Sequence, residues 1–338
     1  MSARWCVVTG GAGFVGSRLV RALNDGGQDR IVLVDSFARR PEKLGGISSL
    51  RVADFLDYFA VDGLDVEALD RRLPPLEAIF HVGAWTDVLE TDAGKMLRYN
   101  FEHACRWLEL GQRRGVPVIY ASTSALYGTS RLCRVGDPDC ERPLNPYGYS
   151  KLLLDRWLQA RLGSLASRVV GFRFFNVFGP GEAHKAHNAS IPTRFFQFLC
   201  DQGRIDLFDD EIRRDYVYVD DVARVLVRAW ESDQPSGVYN LGSGNAISHQ
   251  EIAEAVVRVA RDIGLPVEHQ PIRRVPMPAD LRGRFQFYTR ADGVLPWVAE
   301  ITSGPLEKMV RYWTAAGQVE GRNGQSSVRR EATATSRA

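Results

Sequence analysis

The 338-residue sequence predicts an α/β protein, a doubly wound parallel sheet with a smaller C-terminal substrate-binding lobe. Three observations predict it. Short β-rich runs alternate with helix-length segments through the first half, the pattern of successive βαβ units. Several of those runs are almost uninterrupted in apolar residues, as expected where helices cover both faces of a sheet. A glycine-rich turn separates the first run from the first amphipathic segment.

In order, the candidate strands are residues 5–9, 31–34, 50–52, 78–82 and 116–121, then a long buried run at 169–178 and a short one at 215–219. Candidate helices are residues 14–23, 96–113, 192–200, 220–230 and 248–263. Residues 1–175 are expected to form the dinucleotide-binding domain, with 215–245 returning to it, and 176–316 the interleaved substrate lobe. From residue 317 to 338 the only large aliphatics are Val319 and Val328, so this stretch cannot bury enough apolar surface to order itself and is expected to be a disordered tail.

Composition excludes several classes. The apolar fraction is 45% and the charged fraction 25%, ordinary for a soluble globular chain. Lys+Arg minus Asp+Glu is 43 − 41 = +2, which gives no basis for nucleic acid as a partner. No apolar run approaches the roughly 20 residues of a membrane helix. The N-terminal residues run directly into a strand-like segment and lack the apolar core of a secretion signal. Five cysteines (Cys6, Cys105, Cys133, Cys140 and Cys200) form no CxxC pair, which fits buried thiols in a reducing cytoplasm.

Thr9-Gly10-Gly11-Ala12-Gly13-Phe14-Val15-Gly16 follows the first strand and opens the first helix. Gly10, Gly13 and Gly16, three apart, permit a tight turn, close approach of backbone to a pyrophosphate and close helix–strand packing, which is the Rossmann arrangement. The helix N-terminus offers free N–H groups to phosphate. Asp35 ends the second strand about twenty residues on, where a carboxylate meets the adenosine ribose and favours NAD. Arg39, Arg40 and Lys43 follow, and cations there would pair with a 2′-phosphate and favour NADP. Local chemistry leaves that choice open. Asp54, after the third strand, is expected on the adenine side, and Val82-Gly83-Ala84, after the fourth, would let backbone approach the dinucleotide.

Asn145-Pro146-Tyr147-Gly148-Tyr149-Ser150-Lys151 carries the chemistry. Asn145 is a good N-cap and Pro146 suits the first helical position. Tyr147 and Lys151 then lie four apart on one helix face. A nearby ammonium is expected to lower the phenol pKa and make Tyr147 a base, while Lys151 also holds the nicotinamide ribose. Thr123 or Ser122, at the end of the fifth strand, would bond the reacting sugar hydroxyl. No Asp or Glu follows Thr123, which argues against a dehydration.

With these motifs the chain resembles the extended short-chain dehydrogenase/reductase superfamily, in particular its nucleotide-sugar epimerases and dehydratases. Arg173-Phe174-Phe175-Asn176-Val177-Phe178-Gly179-Pro180, the run from Arg214 to Ala223, and Tyr239-Asn240-Leu241-Gly242-Ser243-Gly244 agree with it. The finer resemblance is to the ADP-L-glycero-D-manno-heptose 6-epimerase family, through Glu182-Ala183-His184-Lys185-Ala186-His187-Asn188-Ala189-Ser190 and Leu281-Arg282-Gly283-Arg284-Phe285-Gln286. It implies an enzyme that inverts C6 of an ADP-activated heptose by transient oxidation with bound NADP, NAD being the alternative, and a homo-oligomer. Lys185 takes the position of the second catalytic residue beside Tyr147. Cofactor contacts are implied for Phe14, Val15, Ser36, Asn100 and Val177 as well as the residues above. Substrate contacts are implied for Asn176, His187, Arg194, Phe208, Arg214 and Phe285. His187 stands where the family usually has Ser, Phe285 where it has Tyr, and Arg194 where it has His.

Two further readings are kept. One is another nucleotide-sugar epimerase, acting at C4 or on a different nucleotide, for which Lys185 would be dispensable. The other is a non-catalytic nucleotide-sensing protein, which the retained Tyr147/Lys151 pair opposes. His184 and His187 lack further ligands at matching spacing, so no metal is expected.

Overall fold

A computed structural model describes residues 4–38, 40–182, 185, 189–282 and 286–323. The large sheet consists of β1 (Trp5–Thr9), β2 (Ile31–Asp35), β3 (Asp54–Asp57), β4 (Leu76–His81), β5 (Val118–Thr123), β6 (Val169–Phe174) and, later in the chain, β10 (Gly237–Leu241). β7 (Asn176–Phe178), β9 (Arg213–Tyr218) and β11 (Ala246–Ser248) make a three-stranded sheet, and β8 (Ile205–Phe208) pairs with β12 (Ile272–Val275).

The large sheet has the order β10-β6-β5-β4-β1-β2-β3 and every pairing in it is parallel. Strand alternation divides its side chains between two cores. Cys6, Val8, Ala78 and Phe80 enter one, beneath the helices Phe14–Asp25 and Val219–Glu231. Val7, Val32, Val34 and Ile79 enter the other, beneath His103–Arg114 and Pro146–Gln159. Burial on both faces explains why these strands read as continuous apolar runs. Arg18 and Asp220 join the two helices of the first face, with one guanidinium–carboxylate contact at 2.7 Å. A third core lies around Phe196, Ile252, Met309 and Trp313, where Phe196 and Trp313 stack at 4.2 Å.

Four expectations are corrected. The third strand is Asp54–Asp57, not residues 50–52: β3 is an edge strand whose position is set by pairing with β2, Val32 opposite Asp54 and Asp35 opposite Asp57. The long run 169–178 is two strands in different sheets, divided at Phe175. β9 pairs with β7 and β11, so the return of the chain to the large sheet is made by β10. The expected tail begins too early. The last helix, Pro305–Asn323, is anchored in the third core by Met309 and Trp313, and extending an anchored helix costs little, so residues 317–323 continue it. Residues 324–338 lie outside the described residues. Among the described residues no helix is long and apolar enough to cross a membrane, and no group of three or more His, Cys, Asp or Glu could hold a metal ion.

Candidate active site

The strand order turns around β1, with β4 on one side and β2 on the other, and the crevice lies at their C-terminal ends. Two glycine loops meet there. Gly10 has φ +67°, and a Cβ on it would lie 2.5 Å from the Gly83 Cα. A Cβ on Gly16 would collide with the Gly10 carbonyl. Gly83 therefore serves the packing of one loop on the other, in addition to any approach to a ligand. Gly13 is the N-cap of the helix Phe14–Asp25 and supplies no side-chain cap, so the first N–H groups of that helix are left for an anion. Val82, Gly83 and Ala84 are half-buried along the loop after β4.

Asp35 is buried and tied to this loop. Its carboxylate accepts the Ala12 N–H at 2.9 Å and the Ser36 N–H at 2.7 Å, and pairs with the Lys43 ammonium at 2.9 Å. Asp35, Ser36 and Lys43 thus form one cluster with the glycine loop. Arg39 lies outside the described residues. Asp54 does not join the cluster: it is exposed at the start of β3, its carboxylate taken by the Phe55 N–H, and Asp57 is the residue level with Asp35.

Asn100 is fully buried and acts as a clamp. Its amide bonds both the N–H and the C=O of Trp85, at 2.8 and 3.0 Å, and reaches Ser150 Oγ at 3.2 Å. It joins the loop after β4 to the helix that carries Tyr147. Val177 is half-buried on β7, beside Val217 of β9.

The helix Pro146–Gln159 starts as the sequence predicts, with the Asn145 side chain accepting the Gly148 N–H at 2.8 Å and Pro146 in its first turn. Thr123 and Ser122 take different roles. Ser122 Oγ turns to buried Asp155, at 3.0 Å, whereas Thr123 bonds the Tyr147 phenol. Burial raises the Tyr147 pKa and the Thr123 bond opposes that rise. The expected lowering by Lys151 is corrected: the Lys151 ammonium donates to the Ala121 carbonyl at 2.9 Å instead. Burial pushes Lys151 down to about 8, against the raising influence of Asp155.

Lys185 lies on the glycine-loop side, its ammonium 4.4 Å from the centre of the Phe14 ring. Its pKa is lowered by burial, raised by Glu182 and lowered by Arg40. Val15 is half-buried in the same first helical turn.

Of the residues expected to meet substrate, Asn176 bonds the Asp215 carbonyl at 2.8 Å and Thr289 Oγ1 at 3.2 Å, and its amide oxygen faces Arg214 at 3.4 Å. Arg214 also donates to the Gln286 carbonyl. Burial lowers the Arg214 pKa, as expected of a guanidinium withdrawn from water. Asp215, its neighbour in sequence, accepts from Ser243, Gly244 and Ala291, and Asp220 pairs with Arg18. Arg194, on the helix Ile191–Gln202, is half-buried over Phe198, and Phe208 ends β8. His187 and Phe285 lie outside the described residues.

Sequence reasoning missed a buried ionic cluster behind the crevice. Arg173 pairs with Asp155 and Glu141, each at 2.7 Å, and Asp155 also accepts from the Tyr120 hydroxyl at 2.9 Å. The signal was present: Asp155 is four residues beyond Lys151, on the same helix face.

Residues 6–242 match the model of the "NAD dependent epimerase/dehydratase family". The chain is 40% identical over 295 residues to an ADP-L-glycero-D-manno-heptose-6-epimerase of Alkalilimnicola ehrlichii, covering 85% of this chain and 88% of that one. The crystal structure of the Helicobacter pylori ADP-L-glycero-D-manno-heptose-6-epimerase superposes with a TM-score of 0.76 at 26% identity, over 93% of this chain and 96% of the other. A Thermus thermophilus UDP-glucose 4-epimerase in complex with NAD shares the fold, with a TM-score of 0.68 at 24% identity, over 94% and 99% of the two chains. The glycine-loop crevice and the Thr123–Tyr147 pair lie within the matched span, and the chain belongs to the NAD dependent epimerase/dehydratase family.

Proposed function

We propose that the enzyme inverts C6 of an ADP-activated heptose, interconverting ADP-D-glycero-D-manno-heptose and its L-glycero epimer, with NADP as its dinucleotide. The residues fit such a cofactor: the helix Phe14–Asp25 has no side-chain cap, and Asp35 and Lys43 stand together at the end of β2. When bound, the nicotinamide supplies a reversible hydride acceptor. Lys43 and neighbouring Arg40 supply the cations that a 2′-phosphate would pair with.

In this reading Tyr147 takes the C6 hydroxyl proton, Thr123 orients that hydroxyl, and Lys151 holds the ribose of the dinucleotide. The substrate ketone turns to present its other face, and Lys185 serves the proton there. Arg214, Arg194 and Asn176 hold the ADP-sugar, joined by Phe208, His187 and Phe285. Residues 1–175 accordingly bind the dinucleotide and 176–316 the sugar. Assembly as a homo-oligomer in the cytoplasm belongs to the same reading, supported there by five free cysteines.

The observation that carries the reading is the separate origin of the two proton-handling groups. Tyr147 comes from the helix after β5, and Lys185 from the loop after β7, with its ammonium against Phe14. A one-base C4 epimerase has no use for the second group. The test is incubation with ADP-D-glycero-D-manno-heptose and resolution of the products by NMR. Conversion to the L-glycero epimer is expected. No change at C6, or inversion at C4 of a different nucleotide sugar, contradicts the reading.

A further inference from the structure

The chain between β7 and the helix Ile191–Gln202 closes on a single buried carboxylate. Glu182 is 2% exposed. Its Oε1 accepts the Gly179 N–H at 2.8 Å, the Ser190 hydroxyl at 2.9 Å and the Thr193 hydroxyl at 3.2 Å. Its Oε2 accepts the Ser190 N–H at 2.6 Å. Gly179 begins the loop, Ser190 is the N-cap of the helix that ends it, and Thr193 lies in that helix's first turn. The Ser190 side chain makes no cap of its own, so Glu182 supplies the negative charge at the positive end of this helix. Lys185 lies between Glu182 and Ser190 in the chain, and its N–H donates to the Glu182 carbonyl at 2.8 Å.

We propose that Glu182 is a positioning residue for Lys185: by stapling both ends of the loop to one carboxylate it fixes where the lysine can deliver its proton, without touching substrate. The proposal rests on the reading of Lys185 as the second proton-handling group.

The physical case has two parts. Four donors on one buried carboxylate are charge-assisted bonds, the strong kind, and they tie Gly179, Ser190 and Thr193 to Glu182. A carboxylate one turn before the lysine also stabilises its ammonium. Among the described residues, the charged groups acting on Lys185 are Glu182, which favours the ammonium, and Arg40, which opposes it. Glutamine at position 182 would keep the shape, but it would turn an amide N–H toward donors and remove the charge.

The test exploits the two directions of the reaction. Oxidation of one C6 epimer draws on Tyr147 and oxidation of the other on Lys185, and each can be followed in a single turnover by the absorbance of reduced nicotinamide. Lys185→Met identifies the lysine-served epimer. Glu182→Gln is expected to slow that same direction by about ten-fold or more, short of the roughly 10²–10⁴ of losing the group itself, and to leave the other within about two-fold. Thr193→Val, which removes one donor and keeps the carboxylate, covers the case in which Glu182→Gln does not fold, with a smaller shift in the same direction. A second readout is independent of turnover: the pH dependence of Lys185 acylation, followed by peptide mass spectrometry, should move to lower pH in Glu182→Gln. Equal slowing of both directions, or no shift in labelling, overturns the proposal. A Lys185→Met enzyme with no directional defect overturns the underlying reading instead.

Discussion

The Lys151 ammonium and the carbonyl oxygen of Ala121 lie 2.9 Å apart, so the lysine of the Tyr147 helix is anchored on β5. Lys151 is 1% exposed, and burial brings its pKa to about 8. Its charged form therefore persists below that pH and is lost as pH rises through it. If the ammonium is needed, kcat/KM should fall on the alkaline side with a midpoint near 8. In Lys151→Arg, whose guanidinium stays charged, that limb should disappear even as the rate drops. A retained limb would assign the titration to another group.

Thr123 is the hydroxyl that opposes the rise in the Tyr147 pKa caused by burial. Removing it in Thr123→Val should lower kcat/KM at neutral pH, because the phenol becomes harder to ionise. Tyr147→Phe should cost about 10²–10⁴ in kcat with little change in thermal midpoint. Pre-steady-state rates at neutral pH check both variants; an unchanged rate in Thr123→Val contradicts the assignment.

Arg173 is 0% exposed between Asp155 and Glu141. Replacing it with Met strands two buried carboxylates, which typically costs about 3–5 kcal/mol. Urea unfolding of Arg173→Met should show a loss of that order. A loss within experimental error of zero would mean that water or relaxation satisfies both acids.

His103 is buried and accepts the Trp107 indole N–H at 2.9 Å, which requires a neutral ring. Burial first, then Arg106, lowers its pKa from 6.5 to about 4, against Asp62. A depressed histidine binds fewer protons folded than unfolded, so its contribution is intact above pH 6.5 and is lost as pH falls toward 4. The shift corresponds to at most about 3 kcal/mol. His103→Gln should flatten the dependence of unfolding free energy on pH across this window. Equal slopes in both proteins would contradict it.

Much of the crevice was legible because its signals are local. The glycine loop, the Asn145 cap and the Tyr147/Lys151 spacing each need only a few neighbouring residues, and the structure forms the turn and the cap and places both side chains on one helix. What sequence did not show depended on distant partners. β3 looks polar because it is an edge strand, and only pairing with β2 puts Asp57, not Asp54, level with Asp35. The apolar run through Phe175 carries no mark of a change of sheet. The helix expected over residues 96–113 is interrupted by a π-helical turn at Arg98–Glu102, which contains the Asn100 clamp. The direction of Lys151 was misread since i,i+4 spacing shows a shared face, not which acceptor the ammonium takes.

The central claim is that C6 loses a hydride and regains the same one on its other face. The most direct measurement uses ADP-D-glycero-D-manno-heptose carrying deuterium at C6, in ordinary water, with the product read by NMR and mass spectrometry. The account predicts an inverted C6 that keeps its deuterium. Washout of the label to solvent, or a C6 of unchanged configuration, would contradict it.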